Sequence, residues 1–312
     1  MAKSILVAGI NGFVGKHLAK ELHSCGYEVF GTGMDENISP EITKEVKQYI
    51  KCDLTSPKDI EKLPLSDINA VINLAGLAQV GTSFGKEDLY NKINVEVHSL
   101  IIERIQQLNL NVRILVISTG AVYDNNQEMP LTESSPFING GSPYAASKVL
   151  LEKTLEKYIE DGMDIIIARP FNHTGPGQLD GFIVPDLTSK ILIQDEITVG
   201  PLNTSRDYTD VRDVVRAYRM IIEKPERSSH RVYNVCSGVP TSRDQIIEKI
   251  KAATGKETLE VKVDEALVRP NDAPLIYGSN NRIGKDFGWQ PSISIDKTIK
   301  DFVDWKKNLS IS

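Results

Sequence analysis

The chain has little cysteine, few aromatic residues and no long apolar run. Its 312 residues include 3 cysteines and 2 tryptophans, and only 6% are aromatic. Cys25, Cys52 and Cys236 are odd in number, far apart and without CxxC spacing. That pattern argues against a disulfide framework or a thiolate metal site and suits small buried hydrophobes, so no metal is expected. The longest apolar stretches, such as Asp164-Ile165-Ile166-Ile167-Ala168, are strand-length. A bilayer span needs roughly 20 residues, so no membrane is expected. The first residues run straight into a strand with no signal-peptide pattern, which suggests a cytoplasmic protein. Basic charge is not in excess either: the net charge is −6, and Lys and Arg are scattered. The footprint of a nucleic-acid binder is therefore missing. What remains, 40% apolar, is a globular chain long enough for one large domain or two smaller ones.

Strand-like runs at 4–8, 28–31, 70–74, 113–118 and 164–169 alternate with amphipathic helix patterns at 15–25, 89–108 and 144–161. Alternation of this kind predicts an α/β fold with a parallel sheet covered by helices on both faces. The run from Ile68 to Gly76 is apolar almost throughout, as a central strand buried on both faces must be. Beyond Arg169-Pro170 the pattern turns irregular, with turns at Gly175-Pro176-Gly177 and Gly200-Pro201, a helix near 211–222 and a short strand at Val232–Val235. The expectation is a Rossmann-type doubly wound parallel sheet over 1–169, with segments near 206–237 returning to it. A smaller α/β substrate domain would take 170–205 and 238–312.

Ile5-Leu6-Val7-Ala8-Gly9-Ile10-Asn11-Gly12-Phe13-Val14-Gly15 reads as strand, GxxGxxG turn and helix start. Gly9 makes the tight turn, Gly12 admits a pyrophosphate, and Gly15 lets helix and strand pack closely. The helix N-terminus then offers amides and a positive dipole end to phosphate. A nicotinamide dinucleotide is the expected cofactor, but NADP(H) and NAD(H) are harder to separate. The second strand, Glu28-Val29-Phe30-Gly31-Thr32-Gly33-Met34, ends without an acid for the ribose, Asp35 comes late, and no Arg stands there for a 2′-phosphate. The missing acid leans slightly to NADP(H). Asp53, after the third strand, could accept from an adenine amino group or could simply cap a turn.

Tyr144 and Lys148 are four positions apart in Ser142-Pro143-Tyr144-Ala145-Ala146-Ser147-Lys148, so a helix puts them on one face. An ammonium there could lower the phenol's pKa and make it usable for proton transfer. The spacing alone is weak, but it shares the chain with the glycine turn. A buried strand also ends in Ser118-Thr119 at a carboxyl edge, where open α/β sheets bind ligands. With GxxGxxG, a hydroxyl four residues before Val122-Tyr123's tyrosine, and YxxxK, the chain resembles the extended short-chain dehydrogenase/reductase family over nearly its whole length.

That resemblance implies Thr119 as the hydroxyl orienting a substrate carbonyl, Tyr144 as acid or base, and Lys148 as ribose contact and pKa depressor. It further implies cofactor contacts from Gly9, Asn11, Gly12, Phe13, Val14 and Gly15, from Asp53 and Leu54, from Leu74, Ala75 and Gly76, and from Asn94, Ile117, Ser118 and Pro170. On the substrate side it implies Gln79, Asn172 in Phe171-Asn172-His173-Thr174-Gly175-Pro176-Gly177-Gln178, Val184, and Arg206 in Arg206-Asp207-Tyr208-Thr209-Asp210-Val211. Arg206 would bind the diphosphate; an ion pair with Asp207 or Asp210 is its bland alternative. Arg269 and Asp272, in Arg269-Pro270-Asn271-Asp272, would take phosphate and ribose hydroxyls. Within the family these segments are similar to reductases of GDP-linked 4-keto-6-deoxymannose. The implied reaction is NAD(P)H-dependent reduction of the 4-keto group of a nucleotide-linked 4-keto-6-deoxyhexose to an alcohol. Asn73 in place of a histidine, Gln79 in place of a small hydroxylated residue, and Asp124 after the Val-Tyr pair depart from the pattern. Two rival readings are a sugar-nucleotide 4-epimerase, which retains its cofactor, and a non-catalytic dinucleotide sensor. Apolar residues beyond one stripe, including Ile93, Val97, Leu100, Ile101, Ile105, Leu150, Leu151 and Leu155, suggest a homodimer through two helices of each subunit, although burial within one subunit would look the same.

Overall fold

The computed structural model describes residues 3–224, 228–267 and 273–309. Its strands are β1 (Ser4–Ala8), β2 (Glu28–Gly33), β3 (Gln48–Lys51), β4 (Ala70–Asn73), β5 (Arg113–Ile117), β6 (Ile165–Pro170), β7 (Asn172–Thr174), β8 (Glu196–Val199), β9 (Ser205–Asp210), β10 (Val232–Val235), β11 (Pro240–Ser242), β12 (Glu260–Val263) and β13 (Leu275–Ile276). The helices are α1 (Phe13–Ser24), α2 (Pro57–Ile60), α3 (Glu87–Asn91), α4 (Val97–Gln107), α5 (Pro143–Glu160), α6 (Ile183–Ile193), α7 (Val211–Glu223), α8 (Arg243–Thr254), α9 (Asn281–Phe287) and α10 (Ile295–Leu309).

Seven strands form one sheet in the order β10-β6-β5-β4-β1-β2-β3, and every pairing in it is parallel. The chain reverses direction across the sheet between β1 and β4, which opens a crevice at their carboxyl ends. Strand residues point alternately to opposite faces. Ile5, Val7, Ile72, Leu115 and Ile166 therefore pack with α1 and α7, whereas Leu6, Val71, Ile114, Val116 and Ile167 pack with α4 and α5. Each fully buried aliphatic side chain contributes about 1.5–3 kcal/mol, which explains why β1, β4 and β6 are buried from end to end. This is the doubly wound fold that the alternating pattern predicts.

A third apolar cluster joins α6, α8 and α10 through Val184, Leu187, Ile246, Ile250, Ile299 and Phe302. Beside it, β9 pairs with β7, β11 and β13, and β8 pairs with β12. After β13 the chain returns to the main sheet, where Ile283 and Trp289 join the α1/α7 face. Trp289 Nε1 donates to the Asp213 carbonyl of α7 at 3.0 Å. Among the described residues no helix is long and apolar enough to cross a membrane.

Three sequence expectations need correction. Cys52 and Cys236 are buried, but Cys25 is exposed, because α1 ends at Ser24 and Cys25 falls on the turn beyond it. The helix expected over 89–108 is α3 and α4 joined by a π-helical turn at Lys92–Glu96. Val97, Ile101, Ile105, Leu151 and Leu155, read as apolar residues beyond one core-facing stripe, lie in the chain's own core, leaving Leu150 as the exposed member of that set at 44%.

Candidate active site

The glycine turn connects β1 to α1 at the carboxyl edge. Gly9 has φ of +75°, and a Cβ there would lie 3.1 Å from the Ala75 amide nitrogen, so the turn touches the end of β4. A Cβ on Gly15 would lie 2.5 Å from the carbonyl oxygens of Gly9 and Ile10, a contact that only glycine avoids. Gly12 caps α1 with no side-chain hydrogen bond, and no acid occupies the helix's first turn. An uncapped, acid-free N-terminus with backbone this close is a cradle that fits a pyrophosphate. Phe13 and Val14 open the helix, and Phe13 stacks on His173 with centroids 6.2 Å apart. Asn11 has a different job: its side-chain amide donates to Asp35 at 2.8 Å and to the Asn37 carbonyl at 3.0 Å.

The other expected cofactor residues separate into backbone and side-chain cases. Asp53 Oδ1 accepts from the Thr55 amide and hydroxyl at 2.9 and 2.8 Å, which is the turn-closing role. Leu54, expected at the cofactor, packs its side chain into the core with Phe30 and Ile60, so only its backbone remains for a ligand. Asn73 replaces the family's histidine and does two jobs. Its oxygen accepts from the Ala75 amide at 3.0 Å, and its Nδ2 faces His98 Nδ1 at 3.0 Å. Leu74 and Ala75 carry the edge on to Gly76, where an added Cβ would meet Asn94 Oδ1 at 3.0 Å and Lys148 Nζ at 3.6 Å. Pro170 ends β6 opposite Val235.

Asn94 sits in the π-helical turn, where the extra residue per turn redirects a side chain. It accepts from the Leu77 amide at 2.8 Å and donates to the Leu77 carbonyl at 3.1 Å and to Ser147 Oγ at 2.9 Å. The helix interior thereby clamps the loop after β4 onto α5.

Ser142 begins α5 by accepting from the Ala145 amide at 3.2 Å, and Pro143 takes the first turn, where its missing N–H costs nothing. Tyr144 and Lys148 are both buried on one face. Burial raises the Tyr144 phenol above its ordinary value, and a hydrogen bond with Thr119 opposes the rise. Burial also depresses the Lys148 ammonium to about 8, with Glu152 opposing. The expected depression of the phenol by the lysine is thus not the leading effect in the chain alone. Lys148 Nζ instead donates to the Ile117 carbonyl at 2.8 Å. Thr119 lies at the end of β5 and accepts from the Ala121 amide at 3.2 Å. Ser118, one residue earlier, points the opposite way and gives its hydroxyl to Glu152. Its side chain, expected at the cofactor, is committed to the interior.

Sequence reasoning missed that interior. Glu152 lies one turn beyond Lys148 and accepts from Arg169 Nη2 at 2.6 Å and Nε at 2.9 Å. Arg169 also donates to Tyr123 Oη at 2.8 Å, and Tyr123 donates to Asn234 at 2.6 Å. A buried network thus ties β5, α5, β6 and β10 together behind the Thr119–Tyr144–Lys148 group. The available signal was one arginine ending an otherwise apolar strand, which a buried acid must accompany.

On the opposite wall, Gln79 lies where the loop after β4 meets residues 178–182; a Cβ on Gly181 would come 2.6 Å from its Nε2. The Gln79 carbonyl accepts from Tyr90 Oη at 2.7 Å, and the Tyr90 ring stands edge-on to Tyr144 at 6.5 Å. Asn172 is exposed on β7, whose partner strand β9 carries Arg206. Arg206 Nη1 donates to the Ser205 carbonyl at 2.7 Å. Asp207 and Asp210, the candidates for a bland ion pair, have other work. Asp207 accepts from the Ser237 and Gly238 amides, and Asp210 pairs with Arg212 at 2.7 Å. Val184, expected at the substrate, is a core residue of α6, because its position on the helix faces Leu187 and Ile191. Arg269 and Asp272 lie outside the described residues.

A parallel doubly wound sheet with a glycine cradle and a Thr-Tyr-Lys group at one edge defines a dinucleotide-dependent enzyme. Residues 5–236 match the NAD dependent epimerase/dehydratase family, and the chain belongs to it, within the extended short-chain dehydrogenases/reductases. It is an NAD(P)-dependent enzyme of that class. The chain is 30% identical to the GDP-6-deoxy-D-mannose reductase of Pseudomonas aeruginosa, covering 99% of both chains. It is 27% identical to UDP-glucose 4-epimerase 2 of Arabidopsis thaliana, covering 99% of this chain and 96% of that one. Among solved structures, RMD from Pseudomonas aeruginosa complexed with NADPH superposes with a TM-score of 0.84 at 29% identity, covering 99% of each chain.

Proposed function

We propose that this enzyme reduces the 4-keto group of a nucleotide-linked 4-keto-6-deoxyhexose, converting GDP-4-keto-6-deoxy-D-mannose to GDP-D-rhamnose with NAD(P)H as reductant. The observation that carries this reading is the meeting of Thr119, Tyr144 and Lys148 at the sheet edge, in a chain matched end to end by a GDP-6-deoxy-D-mannose reductase. Residues 1–169, with returning segments near 206–237, hold the dinucleotide, and 170–205 with 238–312 provide most of the sugar-nucleotide pocket.

Bound NAD(P)H supplies the hydride. Tyr144 donates its proton to the carbonyl oxygen as that oxygen becomes the alcohol, and the Thr119 hydroxyl hydrogen-bonds the same atom. Loss of the proton leaves a buried phenolate. The Lys148 ammonium on the same helix face stabilises that charge, and the Ile117 carbonyl fixes where the ammonium stands. Asn94 keeps the loop carrying Gly76 and Leu77 seated over this group. On the nucleotide side, Arg206 suits the diphosphate, since its planar donors can bind two oxygens at once. Asn172 and Gln79 face the sugar end, and Arg269 and Asp272 complete the nucleotide contacts. The three cysteines, free in the structure, suit a reducing cytoplasm. Exposed Leu150, beside Val149 and Ile138, suits a homodimer formed through α4 and α5.

The test mixes the purified protein with GDP-4-keto-6-deoxymannose and NADH or NADPH, follows nicotinamide absorbance and identifies the sugar by NMR. Stoichiometric oxidation with GDP-rhamnose as product is the expected result. Interconversion of sugars with no net oxidation would replace the reading with a 4-epimerase.

A further inference from the structure

We infer that Asp207 is a positioning residue: it fastens the small sheet bearing Arg206 and Asn172 to the edge of the main sheet, and so fixes how far the nucleotide end of the substrate lies from the reacting carbonyl. The inference rests on the reading above in which those two residues face the nucleotide sugar. Asp207 is 1% exposed on β9. An acid so deeply buried must have its lone pairs filled. Its Oδ1 accepts from the Ser237 amide at 2.8 Å and the Ser237 hydroxyl at 2.6 Å. Its Oδ2 accepts from the Gly238 amide at 2.9 Å and the Gly278 amide at 3.4 Å. Two successive amides thus face one acid, and Gly238 carries a positive φ of +76° that few residues other than glycine adopt. Hydrogen bonds to a carboxylate are about twice as strong as neutral ones, so this knot is tight.

Topology decides what the knot joins. β10 is the edge strand of the seven-stranded sheet, while β9 lies in the smaller sheet with β7, β11 and β13. The chain passes between the two sheets by short steps: Phe171 alone separates β6 from β7, and Cys236–Val239 separate β10 from β11. Asp207 bonds the second step directly. Gly278, just past β13, brings in the first, since a Cβ on it would lie 2.6 Å from the Phe171 ring and 2.9 Å from Cys236 Sγ. The Phe171 ring also lies 3.0 Å from where a Cβ on Gly120 would stand, and Gly120 follows Thr119. A continuous packed path therefore runs from Arg206, beside Asp207 on β9, to Thr119 at the catalytic edge. Without the carboxylate, β9 keeps its ladder bonds to β7, β11 and β13, so Arg206 and Asn172 stay together. What loosens is their distance from Thr119 and Tyr144, and a misplacement of about 1 Å can cost on the order of 100-fold in rate.

Asp207→Asn keeps the shape of the side chain but turns an amide N–H2 toward donors. Turnover of the full chain is measured on GDP-4-keto-6-deoxymannose with NADPH, and on UDP-glucose if the chain proves to be an epimerase, so a wrong sugar in the proposal above leaves this comparison intact. In Asp207→Asn, kcat should fall at least about tenfold, because the carbonyl is presented out of place. Binding of NADPH, and of the nucleoside diphosphate without its sugar, should stay within about threefold by calorimetry, a loss smaller than one hydrogen bond to a charged group. Ser237→Ala removes one of the four donors and leaves the backbone bonds, so its kcat should drop by a smaller factor, about threefold, at a nearly unchanged melting temperature. Full kcat in Asp207→Asn would overturn the inference. So would a parallel loss of turnover, NADPH binding and nucleotide binding, which marks a merely structural role; if Asp207→Asn does not fold, full kcat in Ser237→Ala overturns it.

Discussion

Tyr144 is the residue on which turnover should depend most sharply. Replacement by Phe keeps the ring against Tyr90 and removes the proton donor, so kcat should fall at least about 100-fold while dinucleotide binding by calorimetry stays intact. A variant retaining full kcat would remove Tyr144 from the mechanism. Lys148 predicts a pH dependence with a definite sign. Its folded pKa, about 8, is lowered from the ordinary 10.5, so the ammonium is present below that value and lost above it. Since the charged form is the one that stabilises a phenolate, kcat/KM for the dinucleotide should hold below about pH 8 and decline above it. A flat profile to pH 10, checked by initial rates in constant-ionic-strength buffers, would contradict this role. At this scale the sequence was informative for Thr119, Tyr144 and Lys148 because helix spacing and strand alternation are local rules. It was uninformative for Ser118 and Val184, whose side chains turn inward for reasons set by Glu152 and by the packing of α6.

Among the elements, the π-helical turn between α3 and α4 is the feature that periodicity could not reveal. That turn carries Asn94 and aims it at the Leu77 backbone, a local widening that the expectation of one continuous helix over 89–108 does not contain. Asn94→Ala would delete three hydrogen bonds and leave the Leu77 amide without its partner. The expected destabilisation is about 1–3 kcal/mol in urea unfolding, together with weaker dinucleotide binding as the loop loosens. Loss of stability without any change in binding would reduce Asn94 to a packing residue. The glycine turn, by contrast, was legible at once. Each of its glycines answers a local geometric demand, and Gly15 shows the demand most plainly, with two carbonyl oxygens where a Cβ would stand.

At the level of the whole molecule, the Glu152–Arg169 pair joins α5 to β6 at the back of the site, with both residues under 5% exposed. Breaking such a pair leaves an uncompensated buried charge, so Glu152→Gln should cost about 3–5 kcal/mol of stability. The joint change of Glu152→Leu with Arg169→Met should cost less than the single one, and a urea-unfolding cycle over these variants measures the difference. Losses that simply add, the double variant costing the sum of the two single ones, would mean that the pair is not coupled. The sequence by itself determined the order of strands and helices, the parallel sheet, the dinucleotide turn and the Tyr144–Lys148 face, because these follow from periods of two and 3.6 residues and from backbone demands met within a few positions. Only the tertiary structure decided that Asn11 holds the loop carrying Asp35, which apolar helix residues stay exposed, and how Arg169 is neutralised. Those outcomes join residues as far apart as Asn11 and Asp35, or Tyr123 and Asn234. No local rule encodes such contacts; they arise when sheet register and helix packing bring distant loops to one edge.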